Sequence, residues 1–108
     1  MSRPKTDREI IAEFVRIRKP YFDGYPVMVE RMNKLCLQLG EITQQAREAD
    51  QDLKSCMKAG QPMSERFADL KLVQGRLADC FYDISKASLD LAKLCREHGN
   101  NLGKILSP

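Results

Sequence analysis

The chain has 108 residues, 43% hydrophobic and 31% charged, with a net charge of +3. That is too apolar for a disordered segment and short enough for one domain. No apolar run approaches the roughly 20 residues needed to span a bilayer, and the four cysteines lack the paired spacing of a zinc site.

Residues 1–20 carry six basic side chains (Arg3, Lys5, Arg8, Arg16, Arg18, Lys19) against Asp7, Glu9 and Glu13, while the rest of the chain is close to neutral. Met1-Ser2-Arg3-Pro4-Lys5 leads into charged residues without the apolar stretch of a secretion signal, so a soluble, cytoplasmic protein is expected. Thr6 suits a helix N-cap, and Glu9 three residues later completes a capping box. A first helix is therefore expected over 6–19, with Asp7 and Glu9 at its start and Arg16, Arg18 and Lys19 at its end, as the helix dipole favours. Ile10, Ile11, Phe14, Ile17 and Val15 form its apolar face. That face is expected to dock on the rest of the fold. The alternative is an anionic membrane or acidic partner met through Arg8, Arg16, Arg18 and Lys19.

Pro20 and Pro26 bracket Tyr21-Phe22-Asp23-Gly24-Tyr25, and two prolines with a glycine should break the helix there. Tyr21, Phe22 and Tyr25 are candidate partner contacts, since aromatic side chains are enriched at interfaces.

A second helix is expected over 26–59. Within it Met28, Met32, Leu35, Leu39, Ile42, Ala46, Ala49, Leu53 and Cys56 recur at steps of three and four. Gly60-Gln61-Pro62 then marks a turn, and a third helix over 64–98 starts at or just before Ser64 as its N-cap. It repeats the spacing with Leu70, Val73, Leu77, Cys80, Ile84, Ala87, Leu91, Leu94 and His98. Such a ladder puts all its members on one stripe, the seam of a coiled coil. So short a connection permits only an antiparallel hairpin, in which facing residues have numbers summing to roughly 122. No two cysteines then face each other closely enough to bridge, and four shielded thiols are expected. Gly99-Asn100-Asn101 reads as the helix stop, followed by a tail over 99–108.

Away from the turn the stripe widens, through Val29, Cys36 and Leu37 on one helix and Phe81, Tyr82, Leu89, Ala92 and Cys95 on the other. Stripes widen where a helix has more than one neighbour. The first helix is therefore expected to cover this end, making a single all-α domain: a three-helix bundle whose turn end is a bare two-helix finger. Leu37, Leu72, Tyr82 and Leu89 lie on or near outer faces and are candidate partner contacts.

Catalytic signals are weak. His98 is the only histidine, on the seam near a helix end; Cys95 is three residues away with no third group to orient a thiol–imidazole pair. Asp69, Asp83, Asp90 and Glu97 share one flank, interrupted by Arg76, as solvated or ion-paired flank positions do. There is no Glu-x-x-His pair, phosphate loop or nucleophile elbow. The expectation is a non-enzymatic interaction or scaffold subunit without cofactor or metal, as a homodimer or within a hetero-oligomeric helical complex. The alternative is a peripheral membrane-binding dimer, and nucleic acid is disfavoured as a partner.

Overall fold

A computed structural model describes residues 3–106. These form two helices, α1 (Asp7–Ala59) and α2 (Ser64–Leu106), which run antiparallel. The chain divides into two compact units. Unit 1 comprises the described residues of Met1–Arg31 with those of Ala87–Pro108, and unit 2 is Met32–Lys86.

Unit 2 is the hairpin proper. Residues of α1 beyond Cys56 stop at Gly60, whose φ of 66° lies in the left-handed region that glycine enters without a Cβ penalty. Gln61 N donates to Cys56 O at 3.0 Å and Gly60 N to Met57 O at 3.4 Å, the paired bonds of a Schellman stop. The Cys56 thiol also donates to Gln61 Oε1 at 3.7 Å. On the other side of the turn Phe67 N donates to Met63 O at 2.9 Å. Met63 therefore holds the N-cap place expected of Ser64, which is the first residue of α2.

Every unit 2 rung of the expected ladder is shielded. Ile42, Leu53, Cys56 and Cys80 are buried, and Met32, Leu35, Leu39, Ala46, Ala49, Leu70, Val73, Leu77 and Ile84 are half-buried. Burying apolar area at about 25 cal/mol per Å² makes this seam the main favourable term holding α1 to α2. The Cys80 thiol points at Leu35 O across the seam at 3.6 Å. Arg76 donates to Gln45 Oε1 at 2.7 Å on one flank. Their numbers add to 121, within one of the register read from the turn. Gly40 and Gly75 lie on outer faces, where a Cβ would meet nothing within 4 Å.

Unit 1 corrects three expectations. Helix 6–19 does not end at Pro20: α1 runs unbroken through both Pro20 and Pro26. Each proline removes one donor, leaving the carbonyls four residues earlier, Arg16 and Phe22, for solvent, and both prolines are exposed. Second, α2 does not stop at Gly99; it continues to Leu106, so most of the expected tail is helix. Third, the first helix forms no third member of a bundle. It is the start of α1 and pairs with the end of α2.

The reason is visible in the packing. Ile10, Glu13, Ile17, Tyr21, Gly24 and Met28 are half-buried at helical spacing, opposite Ala87, Leu91, Leu94, His98, Asn101, Leu102 and Ile105. Ala87 and Ile105 are buried. A Cβ on Gly24 would lie 3.6 Å from Leu94 Cδ2, an ordinary van der Waals contact, so α1 passes close to that leucine here. Lys5 ties the helix start to the end of α2, with Nζ 3.0 Å from Glu13 Oε2 and 3.4 Å from Ile105 O. Thr6 caps α1 as expected, accepting from Glu9 N through Oγ1 at 3.2 Å. The reciprocal half of the capping box is missing, because the Glu9 carboxylate pairs with Arg3 at 2.6 Å instead.

Candidate interaction faces

Each unit has a charged side on which side chains of α1 and α2 pair, and unit 2 carries a further ion pair, Lys54 with Asp50 at 3.0 Å, on the other flank of α1. In unit 2 the charged side is marked by Arg76 and Gln45, with Asp69 held by Arg66 at 3.6 Å. In unit 1 it is marked by Arg31 against Asp90 at 3.5 Å. A groove there is lined by Glu13, Arg16, Ile17, Pro20, Asn101, Lys104 and Ile105. The aspartates that share a flank in the sequence are thus divided between ion pairs and solvent. These pairs are exposed, so each contributes at most about 1 kcal/mol.

Apolar side chains that the seam leaves over are exposed as well. In unit 2 these include Phe81 and Tyr82 on α2 and Leu37 on α1, with Tyr82 64% and Leu37 71% exposed. Cys36 is exposed beside them, as is Cys95 in unit 1, while only Cys56 and Cys80 are buried. The expectation of four shielded thiols therefore fails for two. The first helix expected to cover the widened stripe is the start of α1 itself, and Leu37, Phe81, Tyr82 and Leu89 of that stripe are exposed. Leu72, 67% exposed, borders an open dent of about 430 Å³ on α2 lined by Ala68, Lys71, Gly75, Arg76 and Asp79. The small side chains at Ala68 and Gly75 create that dent, a shape that accepts a protruding side chain of another helix. The ammonium group of Lys86 lies 5.4 Å from the Tyr82 ring centroid.

In unit 1 the three hinge aromatics separate. Tyr21 turns inward and stacks on His98, while Tyr25 stacks on the other side of Tyr21 at 5.1 Å. Burial, with Cys95 and Tyr25 close by, raises the Tyr21 phenol above its ordinary range. Phe22 turns outward and is 63% exposed. Phe14, Arg18 and Phe22 follow one another at steps of four, and the Arg18 guanidinium lies over both rings, 5.8 Å from Phe14 and 5.1 Å from Phe22. Arg8, Arg16 and Lys19 are exposed. Arg16 lies on the charged side, whereas Arg8 and Lys19 flank the apolar stripe. Leu89 is exposed on α2 of the same unit.

Ile11, Val15 and Phe81 belong with these exposed side chains but were assigned to covered faces from sequence. The signal that separates them is position within the repeat: each falls off the two rungs that point at the partner helix. Among the described residues no helix is long and apolar enough to cross a membrane. Comparison with protein-family models, with characterised proteins and with solved structures finds no match.

Proposed function

We propose that the chain is a non-enzymatic helical interaction subunit that pairs with a second copy or with helices of another protein. One observation carries this reading. The seam of unit 2 is filled by its own side chains, yet Leu37, Leu72, Phe81 and Tyr82 remain in water. Large apolar side chains that stay exposed after a fold has closed its core mark surfaces that are covered in an assembly. The dent beside Leu72 adds a hole of the kind helix packing fills.

The reading is tested by light scattering coupled to size-exclusion chromatography over a range of concentrations. A mass above one chain, reduced to that of the monomer by Phe81→Glu with Tyr82→Glu, supports self-association. A monomer at every concentration sinks it. The hetero-oligomeric form then stands or falls on affinity purification from the native source, in which the same double variant must lose the helical partner that the wild type retains.

A further inference from the structure

We infer that the apolar stripe of α1 in unit 1, together with its basic side chains, is a docking face for the surface of an anionic phospholipid bilayer. At about 100° per residue, Ile11, Phe14, Val15, Arg18 and Phe22 fall on one stripe of α1. This stripe lies on the side away from the Arg31–Asp90 pair. Ile11, Val15 and Phe22 are each more than half exposed. These are large side chains standing out from the surface, the arrangement of a helix that lies in a membrane interface.

Charge decides the occupant. Arg18 stands within the stripe, its guanidinium stacked on Phe14 and Phe22. Arg8 and Lys19 edge the stripe on α1, both exposed. Asp7, one turn before Ile11 on the line of the stripe, and Asp23, next to Phe22, are exposed acids close to it, fewer than the basic side chains Arg8, Arg18 and Lys19. A second copy of this face would bring basic rim against basic rim, which disfavours it. An anionic bilayer offers the complementary charge, and long basic side chains can reach lipid phosphates while their stems stay among apolar groups.

Shape points the same way. The groove at Pro20 opens on the charged side of unit 1, among Glu13, Arg16 and Lys104. The apolar side offers protruding side chains, and fluid acyl chains accommodate these without a preformed complementary hole. This inference is independent of self-association through unit 2.

The test is sedimentation of the full chain with vesicles of phosphatidylcholine, with and without phosphatidylserine, at low and high salt. Binding is expected only with phosphatidylserine and should weaken with salt. Arg18→Gln and Lys19→Gln should each weaken partition about fivefold, and Phe22→Glu should abolish it. Circular dichroism should show all three variants as helical as the wild type, their side chains being exposed. Phe81→Glu with Tyr82→Glu, in unit 2, should leave vesicle binding unchanged. Equal binding to vesicles without phosphatidylserine, no binding to either, or undiminished binding by Phe22→Glu overturns the inference. So does conversion of an oligomer to monomer by Phe22→Glu, which would show that another protein surface covers this face.

Discussion

Tyr21 on α1 and His98 on α2 stack face to face, their ring centroids 4.4 Å apart and their planes within 8°. His98 Nδ1 is shielded from solvent with no hydrogen-bond partner. The stack therefore joins a favourable ring contact to an unsatisfied ring nitrogen, and the two contributions separate by mutation. His98→Phe keeps a ring against Tyr21 and removes the orphan nitrogen, so thermal denaturation should show a gain of up to about 1 kcal/mol. His98→Ala should lose about 2 kcal/mol, because the ring contact and its buried area go together. Destabilisation by His98→Phe as large as that of the alanine variant would contradict this division.

The raised Tyr21 phenol has a consequence for alkaline stability. The folded chain holds this proton more tightly than the unfolded chain, in which a phenol titrates near pH 10. The stability linked to Tyr21 is thus intact below that pH and lost as the pH rises through the phenol range toward the higher folded value. Tyr21→Phe should remove this part of the alkaline decline, read as the difference between wild-type and variant melting curves from pH 9 to 11. Parallel declines would mean that the proton is held equally in both states.

Glycine should show opposite signs at different places. Gly60 has a positive φ at the helix stop, so Gly60→Ala should cost about 1 kcal/mol. Gly40 and Gly75 are helical, with open space where a Cβ would go. Alanine at either should stabilise by about 0.5–1 kcal/mol. Urea denaturation followed by circular dichroism measures all three, and a stabilising Gly60→Ala would contradict the left-handed stop. The Gly75 variant should also partly fill the dent beside Leu72 and so weaken any partner that inserts there.

Pro20 and Pro26 should be costly residues in α1. Each removes a backbone donor, and an interior proline costs about 3 kcal/mol in a helix free to choose another conformation. Pro20→Ala and Pro26→Ala should each raise stability, by about 1–3 kcal/mol. They should also slow amide hydrogen exchange over the following turn, as read by mass spectrometry. Unchanged exchange in both variants would indicate that the surrounding packing already holds that turn closed.

At the tightest place in the seam Ala87 is only 2% exposed. Ala87→Leu should destabilise by about 1–3 kcal/mol through overpacking, despite being more apolar and a good helix former. Ile42→Ala should cost about 2–4 kcal/mol through a cavity in unit 2. Chemical denaturation distinguishes these from surface changes such as Arg76→Ala, expected to cost under about 1 kcal/mol.

Much of this architecture is legible residue by residue. The steps of three and four from Met28 to Cys56 and from Leu70 to His98 identify shielded positions, because a helix repeats its faces every three to four residues. Gly60 identifies the stop, since only glycine enters the left-handed region without cost. Thr6 identifies the start. The break expected at Pro20–Pro26 was wrong because local propensity competes there with tertiary burial. Ile17, Tyr21 and Met28 pack on α2, and the summed burial offsets the lost donors. The stop expected at Gly99 fails in the same way, since Leu102 and Ile105 continue the seam beyond it.

The candidate faces show the limit more sharply. Leu37, Phe81 and Leu89 are apolar whether covered or not, and their identity cannot say which. Periodicity along one chain fixed which residues share a stripe and where that chain turns back. Whether the first residues fold onto the hairpin or extend one of its helices depends on which surfaces meet across large sequence separations. The tertiary structure decided that: α1 continues, its start is sealed by the end of α2, and large apolar side chains of both units are left exposed.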